Sequence, residues 1–273
     1  MNFIGYRQLH RDVAEFSAML PRDLIGIIGV PRSGLMVASL LALHRNLPLG
    51  CLGINEWLGH GMRALPERLD SGTILLLDDS LQSGGSMRNA RRQVEACLRR
   101  YRLVTGALYV DPGKQAAVDY CLQVVPRPRV FAWNWISHAR LTRCLSDIDG
   151  VLCYDPPVFD DDGPEYQYAL CGARPLHVPT RPIGGLVTGR LSRWRELTEG
   201  WLASYGVRFG QLTMYPAETA TERQRRCDVP HWKGRVLRNG PWDWMVESSA
   251  AQAPEIARVA GKPVICLENE RVY

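Results

Sequence analysis

The sequence lacks the features that mark several large classes of protein. None of its eight cysteines forms a C-x-x-C pair or a cluster with zinc-finger spacing. No apolar run approaches the roughly 20 residues of a membrane span, and the opening stretch MNFIGYRQLH has no long apolar core of a signal peptide. We therefore expect neither a disulfide framework nor a membrane protein, and we predict a cytoplasmic protein with reduced thiols.

The chain also lacks a strong charge imbalance. Its 33 basic and 28 acidic residues leave a formal net charge of +5. This excess is far from the signature of a nucleic-acid-binding protein, so neither a nucleic acid polymer nor a membrane is expected as a partner. A mild positive excess suits phosphorylated small molecules, and it equally suits simple solubility. We find no internal repeat and no low-complexity segment.

What the chain does contain is an alternation of strand-like and helix-like segments that occurs twice. Aliphatic runs such as DLIGIIGV and LVTGALYVD predict buried strands with helices between them. The pattern restarts at RCLSDIDGVLC, and a length of 273 residues exceeds that of one typical domain. We predict two α/β domains, residues 1–140 and 141–273, each a mostly parallel sheet with flanking helices.

The stretch TILLLDDSLQSGGSM carries the first candidate site. Asp78 and Asp79 follow an aliphatic run, and ligands of an open parallel sheet bind at the carboxyl ends of its strands. The small residues of 83–86 then lead into a predicted helix, which is a typical phosphate cradle. A sugar phosphate combines the required hydroxyls and phosphate. For the two acids alone, a solvated strand end or the acid pair of a receiver or nucleotidase fold remains an alternative.

This stretch resembles the phosphoribosyl pyrophosphate motif of the type I phosphoribosyltransferases. The resemblance implies that Asp78 and Asp79 bind the ribose hydroxyls, with Mg²⁺ and pyrophosphate nearby, and that a nucleobase-like acceptor is the second substrate. The residues implied to hold the 5′-phosphate are Ser83, Gly84, Gly85 and Ser86. The upstream GVPRSG resembles the pyrophosphate loop, and the residues implied there are Arg32, Ser33 and Gly34. Residues 55–72 match the position of the mobile loop that closes over the reactants.

The acceptor site is less well defined by the sequence. In VFAWNW, Trp133 is a candidate for stacking on a nucleobase and Asn134 for pairing with its edge. The same aromatics are equally suited to seal the interface between the two domains. Asp111 is a further candidate base contact, or a surface acid in a turn before a proline. Ala132 departs from the acid that the resemblance leads us to expect between Phe131 and Trp133.

The stretch SDIDGVLC carries the second candidate site and resembles motif one of the haloacid dehalogenase phosphatases. The resemblance implies that Asp147 attacks phosphorus and that Asp149 shuttles the proton. It further implies that Thr188 binds a phosphate oxygen, that Lys233 supplies the motif-three cation, and that Asp147, Asp149 and Glu247 hold Mg²⁺. Serines rather than a second acid follow Glu247, which makes the implied metal site thin.

The short insert over roughly residues 154–182 indicates an open second site. The order of the motifs resembles bacterial fusions of a type I phosphoribosyltransferase with a haloacid dehalogenase-like domain. This implies a two-step enzyme that joins ribose 5-phosphate to a base and then removes the 5′-phosphate. A transferase with a scaffold-like second domain and a regulator that binds phosphoribosyl pyrophosphate without catalysis are the alternatives. The aromatic segment and residues 55–72 favour an enzyme. Dimers are common in this family, so a homodimer is one expected assembly.

Overall fold

A computed structural model describes residues 1–52, 57–58, 72–99, 101–157 and 162–273. The chain divides into two compact units: Ile4–Arg129 with Asn2, here the first unit, and Val130–Tyr273 with Met1 and Phe3, here the second unit. We predicted the division between residues 140 and 141, whereas these units divide after Arg129. The difference arises because Val130 and Trp135 are buried in the hydrophobic core of the second unit.

The elements up to the division alternate as the sequence predicts. In chain order they are β1 (Asn2–Ile4), α1 (Tyr6–Met19), β2 (Leu24–Gly29), α2 (Ser33–Arg45), β3 (Leu49–Cys51), β4 (Trp57–Leu58), β5 (Thr73–Leu81), α3 (Gly85–Cys97), β6 (Arg102–Val110), β7 (Tyr120–Val124) and β8 (Arg129–Phe131). Most of the predicted mobile loop, residues 55–72, lies outside the described residues.

The sheet of the first unit has the order β4-β3-β2-β5-β6-β7, and only the pairing of β4 with β3 is antiparallel. Strand β5 lies in its middle, and its aliphatic run is buried because both faces of such a sheet are covered. Gly29 of β2 pairs with Leu77 of β5. The segments that follow these two parallel strands therefore begin at the same edge of the sheet, which is where the sequence predicts the ligand.

The second unit repeats the same architecture. In chain order its elements are β9 (Cys144–Ser146), α4 (Pro164–Cys171), β10 (Gly185–Leu191), α5 (Arg195–Ser204), β11 (Leu212–Tyr215), α6 (Ala220–Arg226), α7 (Val229–Asn239), β12 (Trp244–Glu247), α8 (Ala253–Ala260), β13 (Val264–Cys266) and β14 (Arg271–Val272). The sheet order is β11-β10-β9-β12-β13-β14, and β14 is antiparallel to β13.

The prediction of α/β architecture with mostly parallel sheets is confirmed. Strand β11 and helices α6 and α7 were not predicted. The four residues of β11 are too few for a periodic signal, and the arginine-rich sequence of α6 is typical of a surface turn. Within the described part of the chain, no helix combines the length and the apolar character needed to cross a membrane.

Candidate functional site

The first site lies at the carboxyl edge of the first unit's sheet, on β5. The strand continues through Asp78 and Asp79 to Leu81, and the two acids are only 9% and 6% exposed. Asp78 Oδ1 accepts the backbone N–H of Asp79 at 2.9 Å. Burial, together with the neighbouring charge of Asp79, raises the pKa of Asp78 to about 7. A ligand that brings hydroxyl donors or a cation would stabilise the ionised form of this carboxyl.

The start of α2 is in close contact with this acid. The sequence predicted a turn over Arg32, Ser33 and Gly34, whereas α2 already begins at Ser33, with Arg32 exposed before it. A Cβ added to Gly34 would lie only 2.7 Å from Asp78 Oδ1 and 2.8 Å from Asp78 Cα. Glycine thus allows the helix to begin against the acid-bearing strand. Leu35 N–H donates to the carbonyl of Arg32 at 3.2 Å, and the other N–H groups of a first helical turn, which have no partner within the helix, suit an anion.

The predicted phosphate loop, residues 83–86, leads directly into α3. Gly84 precedes the helix with a φ of 76°, a left-handed conformation that glycine adopts without strain. Ser83 Oγ accepts the backbone N–H of Gly85 at 3.3 Å, and the Ser83 carbonyl accepts Arg88 Nη1 at 3.1 Å. Ser83 and Ser86 are exposed. Arg88 was not singled out from the sequence. A basic residue in the first helical turn after a glycine-rich loop could have indicated a side chain that contacts this loop.

Asp111 directly follows strand β6, next to the end of β5. The backbone N–H of Asp111 donates to the carbonyl of Leu81, the last residue of β5, at 3.0 Å. Asp111 is only 7% exposed and forms ion pairs with Arg127 at 2.9 Å and Arg129 at 3.1 Å. It is therefore a buried, paired acid rather than a surface acid in a turn. Whether it contacts the acceptor stays a prediction.

Comparison with known proteins adds to this geometry. No family model matches the chain. A curated xanthine-guanine phosphoribosyltransferase from Chromohalobacter salexigens is 30% identical over 138 residues, which are 48% of this chain and 82% of the relative. The chain belongs to the phosphoribosyltransferase family. The relationship spans about half of the chain.

Two solved structures are also similar to about half of this chain. The xanthine-guanine-hypoxanthine phosphoribosyltransferase of Helicobacter pylori is 18% identical with a TM-score of 0.41, and the similarity covers 49% of this chain and 91% of that one. A purine phosphoribosyltransferase of Pyrococcus horikoshii is 19% identical with a TM-score of 0.38, covering 48% and 92% of the two chains.

Trp133 and Asn134, the two candidate base contacts, belong to the second unit. Trp133 stacks on Phe131 with a centroid distance of 4.6 Å and an interplanar angle of 16°. Asn134 Oδ1 is buried and accepts no hydrogen bond from the described residues. Trp135 is buried and packs edge-to-face on His177. At least part of this aromatic segment thus belongs to the core of the second unit, and the base contacts stay predictions.

The second site lies at the carboxyl edge of the second unit's sheet. Strands β9 and β12 are parallel neighbours, so Asp147 after β9 and Glu247 at the end of β12 lie close together. Lys233 on α7 lies between them, and its Nζ donates to Asp147 Oδ2 at 2.7 Å and to Glu247 Oε2 at 2.8 Å. All three side chains are buried. The structure therefore brings these three predicted residues together.

The other two predicted residues, Asp149 and Thr188, also reach this edge. Arg190 on β10 donates from Nε and Nη2 to the two carboxylate oxygens of Asp149, at 2.9 and 2.6 Å. Thr188 Oγ1 accepts the backbone N–H of Arg190 at 3.1 Å and lies 3.5 Å from Asp149 Oδ2. The pairing of Asp149 with Arg190 was not predicted. An arginine inside an otherwise apolar strand could have indicated it, because buried charges need a partner.

The ion pairs determine the ionisation of the site. Burial and the charge of Glu247 raise the pKa of Asp147 well above its usual value, against the opposing effect of Lys233. Burial alone would raise the pKa values of Asp149 and Glu247, but Arg190 lowers the first and Lys233 lowers the second. Burial alone would lower the pKa of Lys233, but the two acids raise it. The chain itself thus compensates most of the negative charge.

These residues do not fit a resident divalent cation. Ser248 Oγ donates to the backbone carbonyl of Asp149 at 3.1 Å and lies 3.4 Å from Glu247 Oε1, which also accepts the N–H of Ser249. Together with Lys233 and Arg190, these donors engage the oxygens that a cation would need. Over the described residues, no three Asp, Glu, His or Cys side chains are grouped so as to hold a metal ion.

An open cavity of about 870 Å³ lies over the second site. Besides the acids and Lys233, its walls include Tyr154, Tyr166, His177 and Arg223. The insert before β10 contributes the eight-residue helix α4, and its residues 158–161 lie outside the described part of the chain. The cavity is large enough to admit a nucleotide-sized molecule.

Proposed function

We propose that this chain is an active phosphoribosyltransferase, which transfers ribose 5-phosphate from phosphoribosyl pyrophosphate to a nucleobase-like acceptor and releases pyrophosphate. The observation that carries the proposal is the pair Asp78–Asp79 beside two helix N-terminal segments at one sheet edge, in a chain of this family. One ligand can therefore contact both the acids, which bind hydroxyl groups, and the backbone N–H groups, which bind anions.

Each part of this edge has a proposed role. Asp78 and Asp79 accept hydrogen bonds from the ribose hydroxyls, and the segment 83–86 binds the 5′-phosphate through backbone N–H groups. Arg32 and the start of α2 bind the pyrophosphate. The hard carboxylate oxygens of the acid pair fit Mg²⁺ that is bound together with a phosphorylated substrate, and this ion would neutralise charge on the leaving pyrophosphate.

For the acceptor we propose a purine. The curated relative is a xanthine-guanine phosphoribosyltransferase, and its similarity supports a purine such as xanthine or guanine. Trp133 is proposed to stack on the base and Asn134 to bind its edge, with sealing of a domain interface as the alternative role of the aromatic segment. A cytoplasmic location and a homodimer also remain predictions.

For the second unit we propose removal of the 5′-phosphate from the nucleotide, in a haloacid dehalogenase-like site. The convergence of Asp147, Asp149, Thr188 and Lys233 supports this role. Asp147 would attack phosphorus and displace the 5′-oxygen, which would take a proton from Asp149 in its protonated form, and Lys233 would offset charge on the phosphate. Water would then give a proton to Asp149 and attack the phosphate on Asp147, which releases inorganic phosphate. The internal pairing of each acid favours the alternative, a second unit that acts as a scaffold without chemistry.

The first experiment is a screen of nucleobases with phosphoribosyl pyrophosphate and Mg²⁺, in which pyrophosphate is followed by a coupled assay and nucleotide by mass spectrometry. Pyrophosphate release with at least one purine is expected, and Asp79→Asn should abolish it. Glu95→Gln changes an exposed acid of α3 that pairs with Arg91, so it should act like the wild type. Tight binding of phosphoribosyl pyrophosphate without release by any base would instead support the regulatory alternative.

The second step is tested with the nucleotide that the first experiment identifies. The wild type should release inorganic phosphate and accumulate nucleoside, whereas Asp147→Asn should accumulate nucleotide. Asp243→Asn serves as the matched control, because Asp243 pairs with Arg140 and Arg143 away from the cavity. Nucleoside formation by Asp147→Asn would contradict the phosphatase role, and absence of phosphate release by the wild type would favour the scaffold.

A further inference from the structure

The acids of the second site already have a cation that belongs to the chain. Lys233 Nζ lies 2.7 Å from Asp147 and 2.8 Å from Glu247, and the lysine side chain is 3% exposed. A magnesium ion held by strand-end acids needs such oxygens within about 2.1 Å in octahedral geometry, usually with several waters. The ammonium group therefore lies where such an ion would draw on both carboxylates.

Lys233 is held in place by the packing of its helix. The next residue on α7 is Gly234, and a Cβ added there would lie 2.6 Å from Val259 Cβ and 3.0 Å from the carbonyl of Ile256, both on α8. The two helices thus pack in close contact directly beside the lysine. Movement of Lys233 away from the acids would require either a shift of α7 or a turn of the side chain into the cavity, and either would leave both acids without this cation.

The remaining oxygens are engaged as well. Arg190 binds both carboxylate oxygens of Asp149 and is itself 1% exposed. Ser248 Oγ lies against the Asp149 carbonyl at 3.1 Å, where a carboxylate from the same position would complete a set of oxygen ligands with Asp147. A serine hydroxyl is a donor here, so it satisfies the carbonyl without a metal.

We propose that the second site uses Lys233 as a built-in cation and binds no resident divalent metal, so that any ligand bound or turned over there is handled independently of Mg²⁺. This contradicts the magnesium site that the sequence resemblance implies from Asp147, Asp149 and Glu247. The proposal concerns the cation of the site. It holds whether the second unit removes phosphate or acts as a scaffold, and it does not depend on the transferase activity of the first unit.

A titration of the full chain with Mn²⁺ tests directly whether the second site binds a divalent metal. Binding is measured as the loss of the free-ion signal in electron paramagnetic resonance. The measurement is made without phosphoribosyl pyrophosphate and in an Asp79→Asn background, which weakens binding at the first site. Asp147→Asn and Glu247→Gln should leave the Mn²⁺ titration unchanged. A stoichiometric site that is lost on either substitution would overturn the proposal.

A gain of metal binding provides the complementary test. Ser248→Asp places a carboxylate beside the Asp149 carbonyl and should give the chain a Mn²⁺ site that the wild type lacks, whereas Ser249→Asp, one residue further on, should not. Equal affinities of these two variants would contradict the place assigned to Ser248. If Ser248→Asp does not fold, the comparison of the wild type with Asp147→Asn still decides the question.

A catalytic readout separates this inference from the proposed function. Hydrolysis of a nucleoside 5′-monophosphate that depends on Asp147 should persist when EDTA is added to the wild type. Loss of that activity with EDTA and its recovery with Mg²⁺ would overturn the inference while supporting the phosphatase role. Phosphate release in EDTA would support both.

Discussion

Both units place acids at the carboxyl edge of a parallel sheet, two in the first unit and three in the second, yet the two groups differ in how their charge is compensated. Burial and the charge of Asp79 raise the pKa of Asp78 in the first unit to about 7. In the second unit, Arg190 and Lys233 hold the pKa values of Asp149 and Glu247 below their usual range against the effect of burial, while the pKa of Asp147 stays raised. At Asp78, a ligand that brings hydroxyl donors or a cation would stabilise the ionised form, whereas in the second unit the chain itself supplies most of the compensating charge.

The difference teaches that the same strand-end placement of acids supports two kinds of site. Buried acids without full compensation reduce folding stability and make ligand binding more favourable. When buried acids are paired within the chain, removing one partner lowers the free energy of unfolding, because a buried charge is left unpaired. Substitutions in the two sites should therefore change stability in opposite directions.

The largest effect is expected from removing the internal cation of the second site. Lys233→Met leaves Asp147 and Glu247 as buried, unpaired acids and should lower the free energy of unfolding by about 3–5 kcal/mol. Urea denaturation of the full chain measures this change, and adding Glu247→Gln should restore part of it. Arg258→Met removes an exposed pair with Glu255 and should have little effect. A small change in Lys233→Met would mean that the acids are not compensated by this lysine.

In the first site, removing an acid should have the opposite effect on stability. Asp78→Asn should lower kcat/KM for phosphoribosyl pyrophosphate about 100-fold, because charge-assisted hydrogen bonds to the substrate are lost. The same variant should melt at a higher temperature than the wild type at pH 8, since a buried carboxylate is removed. Steady-state kinetics and calorimetry on one preparation measure both quantities. A variant that loses stability would refute the comparison.

The close approach of α2 to Asp78 should be intolerant of a side chain. Gly34→Ala introduces a Cβ 2.8 Å from Asp78 Cα, so the start of α2 must shift away from the acid. We expect a loss of about tenfold in kcat/KM for phosphoribosyl pyrophosphate. Gly200→Ala is the matched control, because that helical glycine has open space around its Cα and alanine should stabilise the helix slightly. Equal kinetics for the two variants would show that the contact has no bearing on the site.

The smallest expected effect is a pH dependence of substrate binding. With a raised pKa of about 7, Asp78 ionises between pH 6 and 8 in the free protein. Hydroxyl donors and a cation favour the ionised form, so KM for phosphoribosyl pyrophosphate should fall several-fold as the pH rises through 7. Asp78→Asn should remove this part of the pH profile and leave the ionisation of the substrate itself. A wild-type profile identical to that of the variant would contradict this.

The sequence predicts the parts of this structure that depend on local pattern. Long aliphatic runs predict β5 and β6, and the acids that end such runs fall at sheet edges as expected. The boundary between the units differs from the predicted one because nothing local to VFAWNW shows which core its aromatics enter. The bond from Arg190 to Asp149 joins residues 41 positions apart and depends on how two strands are placed in three dimensions. The role of Ser248 is equally invisible locally.

The central position of β5 has a consequence for the lifetime of the first site. Its backbone is paired with β2 over Thr73–Leu77 and with β6 over most of Thr73–Leu81. Edge strands and loops exchange their amide hydrogens through small local openings, whereas a strand bonded on both sides exchanges only when a large cooperative unit opens. Asp78 and Asp79 directly follow the doubly bonded segment Thr73–Leu77, which anchors them to the middle of the sheet. Their spacing should therefore persist through the fluctuations that fray the rest of the sheet.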